Sequence, residues 1–164
     1  MKKIIVMLML LAPMAVMAQK FGHVDTQSII STLPELAKIE GELKASAQQF
    51  ENDLKAMQDE LQRKAEEYDK AKATMNATTQ QETEAQLQEM YQKIQQTYQQ
   101  NQQEMQRQQQ EKMAPIQQKI QTAIQNVGKA GNYTYIFEVG VAVYVGNDSK
   151  DVTADVKAEL NKLK

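Results

Sequence analysis

The apolar positions in the middle of the chain recur every seven residues. Leu36, Leu43, Phe50, Met57, Lys64 and Ala71 form one set, and Ala47, Leu54, Leu61, Tyr68 and Met75 interleave with it. With the second set at position a and the first at d, this is a heptad seam with one polar break, Lys64. Outside the seam, Glu40/Lys44, Glu51/Lys55, Asp59/Arg63, Glu60/Lys64 and Glu66/Lys70 stand acid-first at i,i+4 spacing. That order supports an exposed helix. The pattern stops at Asn76-Ala77-Thr78-Thr79, where Thr79 and Glu82 have the spacing of a capping box and predict a second helix. There Tyr91, Tyr98 and Met105 fall at a, and Leu87, Ile94, Asn101 and Gln108 at d. The run continues to Val127, with Gly128 as the predicted stop.

Folding the chain back at 76–79 brings the two seams together. Partners across an antiparallel hairpin have residue numbers of constant sum. Matching Leu61 to Ile94 sets Met57 against Tyr98, Phe50 against Met105, Leu54 against Asn101 and Tyr68 against Leu87. The pattern therefore predicts a helical hairpin over 34–127, each arm about 40 residues and about 60 Å long. Two features interrupt it. The return helix is glutamine-rich from Gln99 to Gln110, with Asn101 and Gln108 in its seam. Beyond that, the apolar phase slips by one residue, to Met113, Ile116, Ile120, Ala123 and Val127, and Pro115 lies at the slip. Gly41 stands opposite Pro115. The pair reads either as a hinge or as two independently tolerated residues.

The flanks have a different character. Tyr133 to Val139 and Val141 to Val145 are β-branched and aromatic runs joined at Gly140, which predicts a hairpin of strands. Phe21-Gly22-His23-Val24 is a third strand candidate. Val152, Val156, Leu160 and Leu163 have helical spacing, with Thr153 as a candidate N-cap. Residues 19–33 and 128–164 thus form a small β-rich body with a C-terminal helix, too small to bury much by itself. Pairing of sheet edges between chains resolves this, with Phe21, Val24, Tyr135, Phe137, Val141, Val143 and Val145 as the expected oligomerisation residues.

Residues 1–18 have two lysines, an apolar run and small residues at Val16 and Ala18, the pattern of a cleaved secretory signal peptide. The chain has no cysteine and no tryptophan, and a formal net charge of -2 that becomes more acidic without Lys2 and Lys3. Nucleic-acid binding, which needs a concentrated positive field, is excluded. His23 is the one histidine, so neither a metal cluster nor a catalytic triad can be built around it. No phosphate loop, dinucleotide motif or nucleophile elbow occurs, and no enzyme activity or cofactor is expected.

Four stretches carry a resemblance: Phe21-Gly22-His23-Val24-Asp25, Leu33-Pro34-Glu35, the strand region Tyr133 to Val145, and Asp151-Val152-Thr153-Ala154-Asp155-Val156. With them the chain resembles the Skp/OmpH family of periplasmic chaperones over its whole length. The resemblance implies a mainly α fold with a small β body and a homotrimer. The body would be a strand-built oligomerisation unit, from which coiled-coil hairpin arms project like tentacles around a cavity. It implies an ATP-independent holdase for unfolded outer-membrane β-barrel proteins. The alternative class is a coiled-coil spacer or scaffold of the envelope that binds one folded partner. Familiar members are strongly basic, whereas this chain has only scattered Lys55, Arg63, Lys64, Lys93 and Arg107 on its arms. Its acidity argues against a lipopolysaccharide or anionic-membrane site. Methionines and tyrosines that do not merely fill the seam are the client-binding candidates: Tyr68, Met75, Met90, Tyr91, Tyr98 and Met113. Met90 and Met113 lie off the strict seam.

Overall fold

A computed structural model describes residues 19–163 of the chain; the expected signal peptide at 1–18 lies outside them. The elements are β1 (Phe21–Val24), α1 (Thr26–Ile30), α2 (Pro34–Ala71), α3 (Ala77–Ala130), β2 (Tyr135–Glu138), β3 (Lys150–Asp151) and α4 (Thr153–Leu160). The fold is mainly helical, with a small parallel sheet and two long interacting helices. It divides into two compact units. One holds the sheet, α4 and the part of α3 from Ile120; the other runs from Gln27 to Lys119.

In the first unit β1 is the central strand, in the order β2-β1-β3, and both pairings are parallel. The predicted antiparallel hairpin of Tyr133–Val139 with Val141–Val145 is not formed. Its first half becomes β2 and pairs with β1, Phe21 opposite Tyr135 and Val24 opposite Glu138. Beyond Gly140, which sits at φ 96°, the chain turns, and Val141 to Val145 form no strand. Strand propensity marks a segment as suited to a pleated surface but not which edge accepts it. Parallel neighbours also need a long crossover, here supplied by the helical hairpin between β1 and β2. Flanking bonds hold the register: Thr134 N–H donates to the Lys20 carbonyl at 2.8 Å, and Val139 N–H to that of Val24 at 2.9 Å.

Beneath the sheet lies a small core of Val24, Ile120, Ala123, Val152, Val156 and Leu160. The amide of Asn126 on α3 donates to Glu159 on α4 at 3.0 Å. Thr153 does not cap α4 but is its first residue. The Asp151 carboxylate accepts the Thr153 N–H at 2.8 Å, and the Thr153 hydroxyl accepts the Asp25 N–H at 3.0 Å. Helix α3 runs past the predicted stop at Gly128 and ends in a Schellman motif. Asn132 takes the left-handed conformation at φ 53°. Asn132 N–H bonds to the Lys129 carbonyl at 3.3 Å and Tyr133 N–H to that of Gly128 at 3.0 Å. A Cβ on Gly131 would lie 2.4 Å from the Tyr133 ring, so any larger residue there must displace that ring.

In the second unit α2 starts at Pro34, after an extended Leu33. It ends at Ala71 and passes through a 3₁₀ turn, Lys72–Thr74. The cap of α3 is Asn76, three residues before the predicted Thr79, its side chain accepting the Thr79 N–H at 2.9 Å. Gln80 closes the tip by donating to the Lys72 and Met75 carbonyls at 2.9 and 3.2 Å. The hydroxyl of Tyr68 on α2 donates to the carboxylate of Glu84 on α3, and Lys72 Nζ stands 3.4 Å from the same carboxylate.

Lower on the arm, Lys112 meets Glu42 at 2.5 Å and Lys119 meets Glu35 at 3.5 Å. Both pairs have residue numbers adding to 154, within one of the Leu61–Ile94 pairing, so the antiparallel register is as expected. The seam phase on α3 differs in detail. Tyr91 and Tyr98, predicted at a, are each 52% exposed, whereas Ile94 is buried and Met90 and Thr97 are half-covered. A straight helix drifts about 20° per heptad from a 3.5-residue repeat, which rotates the a positions outward. The phase slip is present: Ile116, Ile120 and Ala123 are buried. Helix α3 continues through Pro115.

Four outcomes follow from this arrangement. Cysteines replacing Phe50 and Met105 form a disulfide within one chain on oxidation, whereas Phe50 with Ile94, about 16 Å away along the axis, does not. Gly41 has open space around its Cβ position, so Gly41→Ala raises unfolding stability by about 1 kcal/mol. Gly131→Ala lowers it by roughly 1–3 kcal/mol, because the Tyr133 ring must move; urea titration reads both. Hydrogen bonding from Tyr68, then Lys72, holds the Glu84 carboxyl below its usual 4.5. The tip bond is therefore fully present above that pH and is lost as pH falls through the lowered value. A Tyr68→Phe variant lacks this acid dependence of tip amide exchange.

Candidate functional site

Two surfaces present apolar groups without covering them. The first is one face of the sheet. Alternation along the strands puts Phe21, Tyr135 and Phe137 on the same side. Phe21 and Tyr135 stack at 6.3 Å between ring centroids, and Tyr135 and Phe137 at 5.8 Å. Tyr135 is 58% exposed and Phe137 42%. The turn after β2 extends this surface with Val141, Val143, Tyr144 and Val145, all exposed. Together with Phe21 and Phe137 the turn frames a concavity of about 490 Å³. Val24, grouped with these residues by sequence, points the other way into the unit's own core. His23 Nδ1 lies 3.0 Å from the Ser149 hydroxyl, a contact that ties the returning chain to β1.

The second surface is the groove between α2 and α3, which opens into three clefts. Near the tip, Tyr68, Met75 and Leu87 line about 230 Å³. In the middle, Met57, Met90 and Ile94 line about 340 Å³. Lower down, Phe50, Leu54, Tyr98, Asn101 and Met105 line about 450 Å³. The structure thus brings Tyr68 to Met75, Met90 to Met57 and Tyr98 to Met105. Tyr91 and Met113 line none of these clefts. Met90 sits within the seam rather than off it. Phe50 and Leu54, which also line these clefts, are assigned wholly to the interior by the heptad. A signal was present in the polar residues Asn101 and Gln108, which leave the seam around them thinly packed.

Those two amides are incompletely satisfied: Asn101 Nδ2 and Gln108 Oε1 are buried without a hydrogen-bond partner in the protein. Gln108 is held by its other end, Nε2 donating to Glu104 at 2.9 Å. Bonds from Arg107 first, and Gln108 second, bring the Glu104 carboxyl down to about 2.

The charges on the arm are largely spent within their own helix. Arg63 bridges Glu60 and Glu67, and Arg107 bridges Glu104 and Glu111. Lys64 stands 3.7 Å from Glu60. Among the described residues no group of three or more histidine, cysteine, aspartate or glutamate side chains is placed to hold a metal ion. No helix among them is long and apolar enough to cross a membrane.

A family profile described as outer membrane protein (OmpH-like) matches residues 20–160, which includes the sheet, both long helices and α4. Among solved structures, an OmpH-like protein of Caulobacter crescentus CB15 is similar in fold, with a TM-score of 0.75. The two are 21% identical, and the match covers 89% of this chain and 86% of that one. No curated protein matches the sequence. With a profile spanning nearly the whole described chain, the protein belongs to the OmpH-like (Skp) family of non-catalytic periplasmic chaperones.

Proposed function

We propose that the protein is an ATP-independent holdase for unfolded outer-membrane β-barrel proteins. It works as a homotrimer whose sheets join the subunits and whose coiled-coil arms surround the client. The observation that carries this reading is the arm groove, a series of shallow clefts lined by methionine, tyrosine and leucine between polar helix faces. Methionine and aromatic side chains suit varied apolar partners. Each cleft is too small and too open to bind one client tightly, so holding rests on many weak contacts. Release then needs no fuel beyond the client's own folding free energy. Trimer assembly is supported by the uncovered sheet face of Phe21, Tyr135 and Phe137 and by the exposed Val141 to Val145 turn, since single soluble chains seldom leave large apolar patches open. Arg63 and Arg107, neutralised within their own helix, are poor lipopolysaccharide ligands, and a lipid role is not part of the reading.

The direct test is suppression of aggregation when a urea-unfolded β-barrel protein is diluted into buffer. Suppression at near-stoichiometric trimer is expected, and its absence at tenfold excess rejects the function. Phe137→Glu or Val143→Asp places a charge in the joined face. Each is expected to yield monomers by native mass measurement, because burying an unpaired charge is strongly unfavourable.

A further inference from the structure

We propose that Met57 on α2 and Met90 on α3 form an oxidation site in the middle of the arm. Conversion of their thioethers to sulfoxides loosens the two helices there and weakens the hold on a client. The effect on clients rests on the chaperone reading above; the modification and its effect on the arm do not.

Three observations single out this place. The first is composition. The chain has no cysteine and no tryptophan, so thioethers are the side chains that two-electron oxidants modify first. All five methionines beyond residue 18 lie on the arm: Met57, Met75, Met90, Met105 and Met113. The second is access. Met57 and Met90 are half-covered and line one open cleft of about 340 Å³, beside Ile94, which is 6% exposed. A small oxidant enters this cleft without unfolding of the arm, and the product remains against a buried apolar residue. The tip and lower clefts hold one methionine each, Met75 and Met105.

The third observation is position. Polar ties between the helices stand on either side of the middle cleft. Tyr68 and Lys72 reach Glu84 towards the tip, and Glu42–Lys112 and Glu35–Lys119 pair lower down. Glu60, on the rim of the cleft, is held by Arg63 of its own helix at 2.7 Å. The helices therefore meet at this level through Met57, Met90 and Ile94, and apolar contact carries the pairing.

Oxidation removes that contact by transfer of one oxygen atom. The methionine sulfur gives up two electrons and forms an S–O bond, while hypochlorous acid is reduced to chloride and releases its proton. A sulfoxide oxygen is a strong acceptor, and the Ile94 side chain offers it no donor. Burying it there is unfavourable, so the cleft opens to water. Two thiols of a methionine sulfoxide reductase reverse the step: they join as a disulfide, and the oxygen leaves as water.

The experiment treats the mature protein with near-stoichiometric hypochlorous acid and locates each added oxygen by peptide mass spectrometry. The parent is compared with two variants, Met57→Leu with Met90→Leu, and Met75→Leu with Met105→Leu and Met113→Leu. Leucine conserves volume and takes up no oxygen, so both variants are expected to fold. In the parent and the triple variant, oxidation at 57 and 90 is expected to lower the melting temperature of the helical signal by about 5 °C. It is also expected to weaken affinity for a β-barrel protein diluted from urea by about fivefold, read as suppression of aggregation. A methionine sulfoxide reductase with a dithiol restores both, and the double variant keeps both throughout. Positions 57 and 90 left unmodified, or an equal loss of melting temperature in the double variant, overturn the site. A lowered melting temperature with unchanged suppression overturns the effect on clients alone. If the parent never suppresses aggregation, the holdase reading falls, and the sulfoxide map with the melting temperatures still decides the site.

Discussion

The pairing of β1 with both β2 and β3 is the constraint on which the rest of the structure depends. It joins a strand near the start of the described chain to two near its end, across 110 residues between Val24 and Tyr135. Closing a flexible loop of that length costs roughly 4 kcal/mol beyond the constant term of loop closure. Two antiparallel helices joined by a tight tip reduce that cost, because an ordered hairpin replaces most of the flexible loop. The Asn76 cap and the Gln80 bonds, which fix the reversal, therefore contribute to sheet formation as well as to the arm. The sheet in turn buries Val24 with Val152, Val156 and Leu160, so the packing of α4 depends on the strand pairing.

The arm is not uniform along its length. Tyr68, Glu84 and Lys72 close it at the tip, and Glu42–Lys112 and Glu35–Lys119 tie it lower down. Between these lies the glutamine-rich stretch, where Asn101 and Gln108 occupy seam positions that an optimised coiled coil fills with leucine. The result is a segment of lower local stability bounded by firmer ends. Such segments are where proteins open and exchange contacts. For a chaperone this is a favourable distribution. The ends preserve the register while the middle keeps apolar groups accessible.

Electrostatics reinforce that division. Arginines of the arm sit between carboxylates three and four residues away on the same helix, which keeps both helices soluble without creating a field that attracts polyanions. Apolar surface is instead concentrated on the sheet face and its following turn. The self-neutralised charges of the arm and the exposed aromatic face of the sheet thus differ in chemistry.

Much of this was legible in the sequence. Helices, their antiparallel register and the tip depend on periodicity and capping residues, which are local properties. The phase slip at Pro115 was equally plain, since Ile116, Ile120 and Ala123 keep their own spacing. What the sequence did not reveal was pairing. Tyr133 to Val139 and Val141 to Val145 have the composition of adjacent strands. The first pairs in parallel with Phe21–Val24, more than a hundred residues away, and the second pairs with no strand among the described residues. Backbone hydrogen bonding carries no side-chain signature of its partner, so the choice of edge belongs to the assembled fold. The outward turn of Tyr91, with Met90 turned in, was decided in the same way. A heptad states an average period, but how far two particular helices drift from it is set by the side chains that meet between them.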